Sequence, residues 1–163
     1  MTIVDKIKAS IQAELGVDFP VYYHDDPTLN LMTSSMTFPC ALVMLITDGR
    51  VVQEGGTVKE VVSAAVFFVE KTEFDMAAEA NEVIIDRCKG RAFAWLLCLG
   101  ADPWITLSNL NRTSRVYDRY DDILTGFGVF ADLKENTGFC SLPVEPYPEP
   151  GENENENEQD NEI

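Results

Sequence analysis

The chain has 163 residues, of which 45 % are apolar, and carries 28 Asp and Glu against 12 Lys and Arg, a formal net charge of −16. That length suits one domain with a short tail, and the apolar share is enough for a real core. An acidic surface repels phosphate backbones, so general nucleic-acid binding is disfavoured.

The first predicted element is a helix over Ile3 to Leu15. Ile3, Ile7 and Ile11 recur every four residues, with Val4 and Leu15 beside them, so one stripe is apolar and the helix must lie on something. Thr2 is placed to cap it, with Asp5 three residues on as in a capping box, and Gly16 ends it. Phe19 to His24 reads as a short strand, held to an edge or a strand start by Pro20. Asp25 to Ser35 reads as a polar loop. Phe38 to Thr47 is almost entirely apolar, the pattern of a central strand covered on both faces. Asp48-Gly49 signals a tight turn, with Arg50 to Gln53 pairing back as a hairpin, and Gly55-Gly56 signals another turn.

Thr57 to Lys71 is a second interior strand. Val62, Ala64, Val66 and Phe68 face one way, Val61, Ala65, Phe67 and Val69 the other. A second helix is expected from Met76 to Leu99, capped by Thr72 or Asp75. Ala77, Ala80, Ile84, Cys88, Trp95 and Leu99 share one face. Gly90 offers a kink or a close backbone approach, and Gly100 the stop. Trp104 to Leu110 suggests a strand and Asn111 to Asp122 a polar loop. Leu124 to Leu133 reads as the last strand, before a turn at Asn136 to Gly138. Phe127, Val129, Ala131 and Leu133 share a face of that strand. Gly126 and Gly128 leave the other face bare, as a bulge or a close neighbour would require.

From Val144 the chain turns Pro-rich and then becomes a Glu-Asn repeat. It holds eight acids there and no Lys or Arg, so 28 acids less eight leaves 20 in the body against 12 bases. With no apolar anchor, 144–163 is expected to be disordered, and 1–143 to form a single domain. Strands that cluster and are joined by turns, rather than alternating with helices, predict an α+β fold. Its mostly antiparallel sheet has four to five strands, with two helices packed on it.

The residues offer little for catalysis, metal or cofactor. His24-Asp25-Asp26 sets an imidazole beside two carboxylates, but neighbours on a strand point to opposite faces and no second histidine exists. No GxSxG elbow and no phosphate loop are present. Cys40, Cys88, Cys98 and Cys140 form no CxxC pair. Met1 to Leu15 is charged and amphipathic, without a signal-peptide core, and the apolar run Ala92 to Leu99 is too short to span a bilayer. These features predict reduced, mostly buried thiols in a cytoplasmic protein. Neighbouring carboxylates such as Asp121-Asp122 arise from composition alone. The one basic concentration, Arg112, Arg115 and Arg119 among Tyr117 and Tyr120, is a candidate subunit interface, since Arg and Tyr are enriched at interfaces. Its plainer reading is a solvated loop with local salt bridges.

The segments "TFPCALVMLI", "VVSAAVFFVEKTEFDMAAEANEVIIDRCKGRAFAWLL" and "ILTGFGVFADLKENTGFC", behind an N-terminal amphipathic helix and short strand, resemble small structural proteins of tailed phages and prophages of gut Bacteroides-type bacteria. The layout over residues 1–141 is similar to tail-terminator or tail-completion (neck) proteins. That resemblance implies a small sheet backed by helices and no enzymatic activity or cofactor. It implies a ring of like subunits, typically a hexamer, that caps the tail tube and joins tail to head. The partners implied are the chain itself, tail-tube protein and head-connector protein. The location implied is the virion neck, after assembly in the bacterial cytoplasm. Acidic inner surfaces of such rings let DNA slide through without sticking. The Glu-Asn tail departs from the family pattern. The alternative reading is an acidic adaptor for one protein partner, with its tail as docking element or nucleic-acid mimic.

Overall fold

The two runs that lack a polar face form the centre of the sheet. In the computed structural model, which describes residues 1–23, 35–72, 78–119 and 124–140 (47–48, 78, 118–119 and 136–140 by backbone alone), β2 (Cys40–Glu54) and β3 (Thr57–Lys71) form a long antiparallel hairpin. Gly55 and Gly56 make its turn with φ of 57° and 79°, the left-handed values that a two-residue hairpin turn demands. β1 (Val21–Tyr23) lies parallel to β2 at one edge. β5 (Leu124–Cys140) pairs with β3, and β4 (Ile105–Arg119) pairs with β5, both antiparallel. The order is β1-β2-β3-β5-β4. The fold is α+β, with a mostly antiparallel five-stranded sheet and two helices, α1 (Ile3–Leu15) and α2 (Ala78–Cys98).

Both helices pack on one face of that sheet. Ile7 and Ile11 of α1 and Ile84, Ile85, Cys88, Ala92 and Trp95 of α2 are buried against Ala64, Val66 and Phe68 of β3 and Val129, Ala131 and Leu133 of β5. Each large apolar side chain so buried contributes about 1.5–3 kcal/mol. The capping box of α1 is formed, with the Thr2 hydroxyl accepting from Asp5 N–H and the Asp5 carboxylate accepting from Thr2 N–H. Gly16 closes the helix at φ 107°. Polar groups under the helices are satisfied. Trp95 Nε1 donates to Ser10 Oγ at 2.9 Å, and that hydroxyl donates to the Ile7 carbonyl at 2.8 Å. Lys6 Nζ reaches Glu135 Oε1 at 2.5 Å, joining α1 to β5.

Three sequence expectations are corrected. Asp48-Gly49 is not a hairpin turn. Arg50 to Glu54 continue β2 and pair with β3 from Val61 to Thr57, and two extra residues are absorbed between Ile46 and Arg50. The uninterrupted length of β3 offers those residues a ladder, which outweighs the local turn signal. Residues 111–119 are strand, not loop, because β5 supplies partners as far as Leu124. Nor does β5 turn at Asn136, which pairs with Lys59, while Cys140 pairs with Thr57. The second helix runs Ala78–Cys98, and nothing lies within 4 Å of a Cβ placed on Gly90, so no close approach explains that glycine. The expected caps at Asp75 and the start at Met76, the loop 25–34 and the disordered tail 144–163 lie outside the described residues.

Candidate interface on the helix-free face

Alternation along β3 and β5 sends a second set of side chains to the face that carries no helix. Cys40, Leu42, Val69 and Leu124 are buried there, with Phe67, Phe38, Met36 and Tyr22 packed partly over them. The two glycines of β5 shape this face. A Cβ on Gly128 would sit 2.5 Å from the Phe67 ring, and one on Gly126 would collide with the Phe68 carbonyl and lie 2.9 Å from Val69 Cα. The neighbour for which these glycines make room is therefore β3 itself. Phe67 lies across β5 and meets Phe130 edge-to-face, ring centroids 5.6 Å apart.

Beside these rings lies a groove of about 280 Å³, lined by Leu42, Phe67, Val69, Arg112, Thr113, Ser114, Val116 and Phe130. Arg112 covers the Phe130 ring with its guanidinium carbon 4.0 Å from the centroid. Among the described residues no carboxylate lies within ion-pair distance of it, so its charge stands over an aromatic and apolar floor. Further along the same face, Asp132 accepts from Ser63 at 2.7 Å and from Asn111 at 2.9 Å, and those hydrogen bonds, Ser63's first, lower its pKa.

The predicted arginine–tyrosine group is divided by the sheet. Arg112 pairs with Phe130 on the helix-free face, whereas Arg115 and Tyr117 turn toward α2. Arg115 Nη1 donates to both oxygens of Glu82 at 2.9 Å, and Tyr117 bridges to the same carboxylate at 2.8 Å. Arg115 is thus a local salt bridge, the plainer of the two readings, whereas Arg112 has no ion-pair partner among the described residues. The Arg119 side chain and Tyr120 lie outside the described residues, as does the His24-Asp25-Asp26 cluster. Sequence reading missed Leu42, Phe67, Val69 and Phe130 as groove residues. The signal that could have found them was the bare glycine pair opposite Phe67 and Val69.

The three described thiols, Cys40, Cys88 and Cys98, are poor nucleophiles. Burial pushes Cys40 up to about 12 and Cys88 to about 11. Cys98 Sγ donates to Glu14 Oε2 at 2.6 Å, which raises its pKa as well. Among the described residues no group of three His, Cys, Asp or Glu side chains could hold a metal ion. No helix among them is long and apolar enough to cross a membrane.

Neither a family model nor a curated protein matches the chain.

Proposed function

We infer that the chain is a non-enzymatic, self-assembling structural subunit, of the tail-terminator or neck type that its layout resembles. In this reading like copies close into a ring that caps a phage tail tube and joins it to the head, assembled in the bacterial cytoplasm and carried in the virion. The observation that carries it is β4. This 15-residue strand ends the sheet, has one neighbour among the described residues, and exposes Leu107, Leu110 and Tyr117. A long edge with apolar side chains is a template for pairing with another chain, and repeated head-to-tail contacts of one kind close into rings. The body's 20 acids against 12 bases suit a channel past which DNA slides.

Size-exclusion chromatography with light scattering, followed by electron microscopy of the purified chain, tests this. A ring is expected. A monomer at high concentration, and still a monomer with tail-tube protein present, overturns it. The eight acids of 144–163 favour a second reading, an adaptor that docks through its tail. Deleting 144–163 separates the two, because partner capture by an adaptor is lost while self-association through the folded domain is kept.

A further inference from the structure

The groove on the helix-free face combines an aromatic floor with a cation that has no carboxylate partner among the described residues. Phe67 and Phe130 stand edge-to-face, Leu42, Val69 and Val116 supply apolar walls, and Arg112 lies on Phe130 with no carboxylate within ion-pair distance among the described residues. Ser114 adds a hydroxyl whose one described partner is the Arg115 carbonyl, at 3.3 Å. An occupant that matches this lining brings an apolar or aromatic group flanked by carboxylate.

The chain itself contains such a segment. Leu142-Pro143-Val144-Glu145-Pro146-Tyr147-Pro148-Glu149-Pro150 sets Tyr147 between two glutamates and places proline at every second or third position. Proline-rich sequence is pre-set to an extended helix and loses little entropy on docking, and aromatic-lined grooves are its usual receptors. We propose that the groove receives the Pro-rich segment 142–150 of a second copy, with Tyr147 against Phe67 and Phe130 and Glu145 or Glu149 on Arg112.

Chain length assigns the segment to a second copy. The groove lies beside residues 126–130 of β5, since Arg112 pairs with Phe130 and Val116 with Gly126. Cys140 pairs with Thr57, whereas Phe130 pairs with Ala65 and Gly126 with Val69, so Cys140 lies eight to twelve ladder positions away, about 26–40 Å at the rise of a β-strand. Seven residues from Cys140 to Tyr147 span at most about 25 Å. The segment of one copy falls short of its own groove, whereas a neighbour's does not have that distance to cover. This inference rests on the self-association proposed above and supplies it with a specific strap between subunits.

Photo-crosslinking of the full chain tests it. One copy carries p-benzoyl-phenylalanine in place of Tyr147 and is co-expressed with an affinity-tagged copy that keeps Tyr147. Irradiation is expected to join the two copies, with the link mapped by mass spectrometry to residues 112–116, 126–130 or Phe67 of the tagged copy. Arg112→Glu in the tagged copy lowers the yield about tenfold, the loss of a charge-assisted hydrogen bond. Glu145→Lys with Glu149→Lys in the probe copy restores it, which separates loss of the contact from loss of the fold. Links confined to one chain, links to other surfaces or other proteins, or a yield indifferent to Arg112→Glu overturn the proposal. Assembly by light scattering without these links overturns the strap and leaves the ring reading standing, whereas a monomer overturns both.

Discussion

Gly126→Ala and Gly128→Ala differ by one methyl group each and by two residues in sequence, yet their costs should diverge. A Cβ at Gly126 meets backbone, the Phe68 carbonyl and Val69 Cα, the latter at 2.9 Å. Backbone gives way only if β3 and β5 separate by about an ångström from their usual spacing near 4.8 Å. Two or three ladder hydrogen bonds then weaken, at about 1 kcal/mol each, and overpacking strain adds about 1–3 kcal/mol. The sum, about 3–6 kcal/mol, is a large part of a small domain's stability. A Cβ at Gly128 meets the Phe67 ring at 2.5 Å, and that ring is only half-buried and can turn aside, for about 1–2 kcal/mol. Urea unfolding of both variants, each also in a Phe67→Leu background, reads these values as shifts in midpoint. Phe67→Leu should relieve most of the Gly128→Ala penalty and none of that at Gly126. Equal costs at the two positions, or a Gly128 penalty untouched by Phe67→Leu, would refute the reasoning.

Ser10→Ala strands the buried Trp95 indole N–H, and should lower stability by about 1–3 kcal/mol, read by the fluorescence-monitored unfolding midpoint. Glu70 is opposed by its own desolvation, yet hydrogen bonds from Arg87 and Arg91 hold its pKa below the ordinary value. A depressed folded pKa contributes stability above the unfolded value, near 4.3, that is lost as pH falls through the folded one. Thermal melts from pH 6 to pH 2 should therefore fall less steeply in Glu70→Gln than in the parent chain. In a Cys140→Ser background, native thiol titration at pH 8 should modify Cys98 alone, slowly, with Cys40 and Cys88 reacting only after denaturation. Glu14→Gln should speed alkylation of Cys98, because the carboxylate that opposes its thiolate is gone.

Local signals settled some of the molecule and misled elsewhere, for identifiable reasons. The α1 stripe and its Thr2–Asp5 box need only neighbours within one turn, and both formed as read. The two-faced apolar run Thr57–Lys71 carries its own evidence of a central position, and its bounds matched. At Asp48-Gly49 and Asn136 a turn signal competed with a ladder offered by a distant strand, and the ladder won. Residues 111–119 look like loop because polar side chains are what an edge strand shows to solvent on its open side. The split of the arginine group was hidden by the loop expectation, to which no alternation applies: Arg112 and Arg115 lie on a regular stretch of β4, where residues three apart take opposite faces.

The sequence by itself determined the class of fold, the two helices with their buried stripes, and an acidity shared between body and tail, since each follows from periodicity or composition within a short window. Only the tertiary structure decided that Arg115 pairs with Glu82 while Arg112, with no carboxylate partner among the described residues, lies over Phe130. That choice depends on strand register across three strands and a helix, and on two glycines that let the Phe67 ring lie across β5, which no local pattern encodes.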